Sequence, residues 1–293
     1  MIINDIPPSH NIATIAEQHY TYTMKHHFGD FLDRTGDYWT TIPNRERFAF
    51  IADVKLANKD EVKIITINKT QDKTHWEQIF DCPNLEELTL HDPSKEQVQA
   101  IRKLKEIKRL RVTFFRATDI EFIGDLENVE ELILEYVSGF SDLSPLRNLH
   151  KLKSVHFENL RRVNDFGRLT GIKSLRYIYI NGTFDWSQPV QSFDFLGEIP
   201  NLEILALGFN VKVVNSTYPI FKSIIQNKKI KKLRIGRAFC NLEDYAFIEA
   251  LLGQENITYA DDTPVKLFYE NKEQIDFLGK GMRSISKTNS KEK

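Results

Sequence analysis

Cysteine is nearly absent from this 293-residue chain, which carries two, Cys82 and Cys240. Two thiols so far apart along the sequence exclude a disulfide-stapled scaffold and fit a reducing compartment. Long apolar runs are missing too. No window approaches 18 uninterrupted apolar residues, and the first residues, Met1 to Pro8, lack a basic stretch followed by an apolar one. The expectation is therefore a soluble, cytoplasmic protein with no membrane span. There is no excess of charge of either sign, since 40 basic and 41 acidic side chains leave a net charge of −1. Nothing in that balance calls for nucleic acid or an anionic bilayer. Phosphate-binding, dinucleotide-binding, zinc-hydrolase, nucleophile-elbow and C-x-x-C motifs are all missing, so no cofactor is expected and catalysis has no recognisable seat. His19, His26, His27 and Asp30 are the one grouping that resembles metal ligands. On a helix, however, His19 lies two turns from the others, roughly 10 Å away and too far to share an ion.

What the chain does have is a period. The pattern L-x-x-L-x-L, with Ile, Val or Phe substituting, recurs as Leu85/Leu88/Leu90, Ile107/Leu110/Val112, Val129/Leu132/Leu134 and Leu152/Val155/Phe157. It continues as Leu175/Ile178/Ile180, Leu202/Leu205/Leu207 and Ile230/Leu233/Ile235, preceded by a weaker copy, Val62/Ile65/Ile67. Successive copies are spaced by 23, 22, 22, 23, 23, 27 and 28 residues. A fixed step in the twenties with one short apolar strand per copy is the mark of a solenoid. The last two apolar residues of each copy are two apart and share one strand face, turned to the core. Between strands, Asp142–Leu149 and Asp165–Ile172 place an apolar residue every third position, the spacing of a 3₁₀-like or short helical return. The longer stretches Ser216–Gln226 and Glu243–Leu252 are each expected to hold an α-helix.

These units resemble leucine-rich repeats, well over about 85–240 and more loosely over 62–260. The copies starting at 129 and 152 are similar to the internalin and SDS22-like class, and the two longer copies to the ribonuclease-inhibitor class. The resemblance implies an α/β solenoid, a leucine-rich-repeat horseshoe with a parallel concave sheet and N- and C-terminal caps. It also implies a non-catalytic binding scaffold. The segments expected are an N-terminal cap over 1–60, helical from Ile12 to Leu32; the array over 61–262; a C-terminal cap over 263–283; and a disordered tail over 284–293. One departure stands out. The family's corner asparagine survives as Asn210 but gives way to Pro93, Phe115, Val137, Leu160, Thr183 and Ala238, so the corners must be held another way.

The residues alternating with the core positions face outward from the strands. Glu87, Arg109/Arg111 and Glu131 fall on neighbouring strands in acid–base–acid order and are expected to pair. Ile133, His156, Tyr177, Tyr179, Ile204 and Ala206 form an apolar and aromatic run with Phe209 at its flank. Such a run on an open sheet is a contact surface; the alternative is internal cover, for instance by the loop from Thr183 to Pro189. Lys232 and Arg234 belong to a basic stretch from Lys228 to Arg237, read first as a solvated edge, with an acidic partner surface as the alternative. The partner-binding set read from the sequence is thus Ile133, His156, Tyr177, Tyr179, Ile204, Phe209, Lys232 and Arg234, engaging an unidentified protein. Two other readings stay open: a self-associating structural protein, and an enzyme seated in residues 1–60 with the repeats as its recognition arm.

Overall fold

The computed structural model describes residues 55–69, 75–236 and 239–259, together with the backbone of the strand pairs at 34–35, 38–39, 50–51, 266–270 and 274–278. The helix expected over Ile12–Leu32, the histidine grouping at 19–30 and the tail over 284–293 lie outside the described residues. The array is a single parallel sheet of ten strands. In order these are β1 (Phe50–Ile51), β2 (Ile64–Asn68), β3 (Glu87–His91), β4 (Arg109–Thr113) and β5 (Glu131–Glu135). They continue as β6 (Ser154–Glu158), β7 (Tyr177–Asn181), β8 (Ile204–Leu207), β9 (Lys232–Ile235) and β10 (Ile257–Tyr259). Each strand pairs in register with the next, so Leu88, Leu110, Leu132, Val155, Ile178, Leu205 and Leu233 form one continuous row. The strands lie side by side in chain order, each joined to the next by a return on the other side, the topology of a leucine-rich-repeat α/β solenoid.

The returns close the core from the opposite side. Ser144–Asn148 and Phe166–Leu169 are 3₁₀ turns that bury Leu143, Leu146 and Leu149, then Phe166, Leu169 and Ile172. Three residues per turn aims every third side chain inward, as the spacing predicts. The helix expected over Glu243–Leu252 forms as Leu242–Leu252, capped by the Asn241 side chain, which accepts from the Asp244 amide. The helix expected over Ser216–Gln226 does not form. Only Lys222–Gln226 is helical, and it is 3₁₀, because Phe221 and Ile224 are buried at the same threefold spacing as in the shorter returns. A short helix the periodicity does not reveal, Lys95–Ala100, starts at Ser94 with reciprocal Ser94 and Gln97 capping bonds. Near the end of the chain Lys266–Glu270 and Gln274–Leu278 pair as an antiparallel hairpin within the segment expected to be a cap.

The missing corner asparagines are replaced at the start of the repeats. Asn84, Asn128 and Asn201, each just before its repeat's first apolar residue, donate through Nδ2 to the carbonyls of Asp60, Lys105 and Lys173 in the preceding repeat. Deeper in, fully buried Gln188 accepts from the Leu160 amide and donates to the Val163 carbonyl, and Asn227 donates to the Leu196 and Ile199 carbonyls. Side-chain amides carry both donor and acceptor, which suits them to backbone groups left over where a repeat turns.

Candidate functional site

Strand alternation puts the expected binding row on the face opposite the core, and that geometry holds. Its exposure does not. Ile133, His156, Tyr177, Tyr179, Ile204 and Arg234 retain only 1–7% of their surface, and Lys232 is half-buried. The solvent-open sheet expected from the sequence is thereby corrected: this face is buried within the chain itself. Tyr177, Tyr179, Ile204 and Ala206 form a small apolar cluster separate from the main core. The His156 ring stacks on Tyr179 with centroids 4.4 Å apart and planes inclined by 7°. Burial, reinforced by the Glu158 carboxylate and partly offset by Arg234, pushes the Tyr179 phenol well above its ordinary pKa. Gly208 makes room for that hydroxyl, since a Cβ there would lie 2.3 Å from the Tyr179 oxygen. The loop from Thr183 to Pro189 carries the exposed Phe184. Its end, Gln188–Val190, pairs with Val211–Val213 in a separate two-stranded sheet.

Around Arg109 the charged part of the face pairs as the sequence order predicts. Arg109 reaches Glu87 at 2.5 Å and Glu131 at 3.0 Å. Burial opposes its charge, but the two carboxylates prevail and hold the guanidinium pKa above its usual value. Arg111, buried, donates through Nε and Nη2 to Glu135 at 2.8 and 2.6 Å. Glu135, His156 and Glu158 bring three potential ligand atoms within 4.8 Å of one another. Two of them are already engaged, Glu135 by Arg111 and Glu158 by the Asn181 amide. The thiols are not poised for chemistry: burial raises both pKa values, and Cys82 donates to the Gln78 carbonyl.

Exposed aromatic residues lie elsewhere, and a group of them follows the rim where the strands end. The seventh residue after each repeat's first apolar position forms a column: Asp92, Phe114, Tyr136, Asn159, Gly182 and Phe209. Five backbone amides of this column donate across to the neighbouring repeat, from Asp92 to the Thr113 carbonyl, Phe114 to Glu135, Tyr136 to Glu158, Asn159 to Asn181 and Gly182 to Phe209. To turn the chain while keeping that bond, Asp92, Phe114, Tyr136 and Asn159 adopt φ between 45° and 56°. Asp and Asn tolerate this left-handed conformation, whereas bulky aromatic side chains are genuine outliers there. Phe114 nevertheless remains 49% exposed, stacked on Tyr136 at 4.9 Å and met edge-on by His91 at 5.5 Å. Four strands further along, Phe209 is 57% exposed and stacks on Phe184, itself 91% exposed. The two stacks are roughly 20 Å apart by strand spacing. Of the sequence-predicted set only Phe209 belongs to this rim. Phe114, Tyr136 and Phe184 went unread, although the seventh-position column would have disclosed the first two.

The chain is similar in part to several solved structures. Internalin InlF of Listeria monocytogenes aligns at 16% identity over 65% of this chain and 52% of its own, with a TM-score of 0.43. Internalin C2 of the same organism aligns at 20% identity over 58% of this chain and 67% of its own, with a TM-score of 0.41. TLR13, in its complex with ssRNA13, aligns at 15% identity over 69% of this chain and 33% of its own, with a TM-score of 0.42. The chain thus spans about half of the first internalin and a third of the receptor. No protein-family model and no curated protein matches the sequence. Among the described residues no helix is long and apolar enough to cross a membrane.

Proposed function

We propose that the protein is a non-catalytic, cytoplasmic leucine-rich-repeat scaffold that binds a partner protein, and that the partner is met along the strand-end rim. The observation that carries this reading is Phe114, an aromatic residue kept exposed in a conformation that costs a non-glycine residue about 1–3 kcal/mol. A corner that asks only for a turn is served more cheaply by Asp or Asn, as Asp92 and Asn159 do at the same position of other repeats. Strain concentrated on an exposed aromatic supports a role outside folding, and stacked aromatics spaced along one edge are typical interface anchors. On this reading Tyr177, Tyr179 and Ile204 contribute packing, and Phe209 is the member of the sequence-predicted set that meets the partner.

The test is capture from native cytosol on the full chain, beside a Phe184→Ala/Phe209→Ala variant and a Phe114→Asn variant. A protein retained by wild type and lost with both rim variants, at unchanged thermal stability, supports the reading. Retention by both variants refutes the rim, and light scattering showing concentration-dependent dimers abolished by the same substitutions would make the rim a self-association surface instead.

A further inference from the structure

Behind the rim the chain forms a cleft of about 550 Å³, within the range of ligand-sized pockets. Its floor is apolar, from Phe115 and Phe122, and its mouth carries Lys95, Arg116 and Arg162 with Asp119. Phe115 directly follows the rim residue Phe114 in the chain. The walls are closely fitted: the loops at Arg116 and Ser138 pair in parallel, and a Cβ at Gly139 would meet the Ala117 carbonyl at 2.2 Å. Charge is unbalanced here. Among the described residues none of the three cations forms an ion pair. Arg162 makes only a long bond, 3.5 Å, to the Gly139 carbonyl. Asp119 is committed locally, accepting from the Glu121 amide and the Thr118 hydroxyl.

We infer that this cleft docks an acidic peptide segment of a partner protein, with one large apolar side chain on the Phe115–Phe122 floor and flanking carboxylates on Arg116, Arg162 and Lys95. The inference deepens the scaffold reading and rests on it. Guanidinium groups offer paired donors that match carboxylates, and an apolar floor rewards a side chain that a bare anion lacks. A nucleic-acid strand fits less well, because Lys95, Arg116 and Arg162 with Asp119 make too small a cationic area for an extended phosphate backbone.

The experiment is fluorescence anisotropy of labelled pentapeptides on the full chain, comparing Glu-Glu-Phe-Glu-Glu with Gln-Gln-Phe-Gln-Gln and Glu-Glu-Ala-Glu-Glu. The expected result is saturable binding of the first alone, weakened about tenfold by Arg116→Gln with Arg162→Gln and by raised salt. Both arginines are exposed, so the variant should melt with wild type. Equal binding of the glutamine peptide, indifference to the double variant, absence of saturable binding, or preference for an oligothymidylate each overturns the proposal. The Phe184→Ala/Phe209→Ala variant should still bind the peptide. A partner captured by wild type and lost on rim substitution, with no peptide bound by wild type, would defeat the cleft and leave the scaffold reading intact; a wild-type chain that captures no partner and binds no peptide would defeat both.

Discussion

The strand face and the strand-end rim carry similar residues and treat them in opposite ways. On the face, Tyr177, Tyr179, His156 and a set of charged side chains are withdrawn from water and matched to one another. On the rim, Phe114, Phe184 and Phe209 are left in water, one of them in a strained turn. Aromatic content therefore does not identify a contact surface in a solenoid. An exposed aromatic is informative when its position costs something that packing does not return.

The contrast can be broken at several points. Replacing Tyr177 and Tyr179 together by Ala should cost the most, at least about 3 kcal/mol by urea unfolding, because it empties a buried cluster. Survival at wild-type stability would mean the face is open after all. Arg111→Ala should cost about 3–5 kcal/mol by leaving Glu135 buried without its guanidinium partner; a loss below 1 kcal/mol would reclassify the pair as solvated. Gly208→Ala should cost about 1–3 kcal/mol through its clash with the Tyr179 hydroxyl. Adding Tyr179→Phe should restore part of that loss, and failure of the rescue would place the strain elsewhere. On the rim the sign reverses. Phe114→Gly should leave stability unchanged or raise it by up to about 1 kcal/mol by relieving the left-handed φ. Phe184→Ala and Phe209→Ala should each shift stability by less than about 0.5 kcal/mol. A marked destabilisation from any of the three would turn the rim into core.

Much of the fold was legible because it is periodic. Leu88 and Leu90 are two apart in a strand, and Leu143, Leu146 and Leu149 are three apart in a return, so each set could point only one way. The acid–base–acid order around Arg109 was readable for the same reason. The helix at Lys95–Ala100 was missed though its Ser94–Gln97 capping box stood in the sequence, and the one expected over Ser216–Gln226 gave way to a 3₁₀ turn. The candidate site was legible only in Phe209. Phe184 sits in an irregular loop with no periodic neighbour, and no spacing shows that it will stack on Phe209.

The sequence by itself determined the architecture: apolar residues repeating every 22 to 28 positions can be buried together only if the copies stack. It also determined which strand residues oppose the core, since alternation is a property of the extended backbone. The tertiary structure alone decided which surfaces meet water. Alternation assigns a side chain to a face, but its withdrawal from water depends on contacts between repeats, such as the stacking of His156 on Tyr179 and the packing of Tyr177 and Tyr179 with Ile204 and Ala206. The rim phenylalanines Phe114 and Phe209 stay exposed.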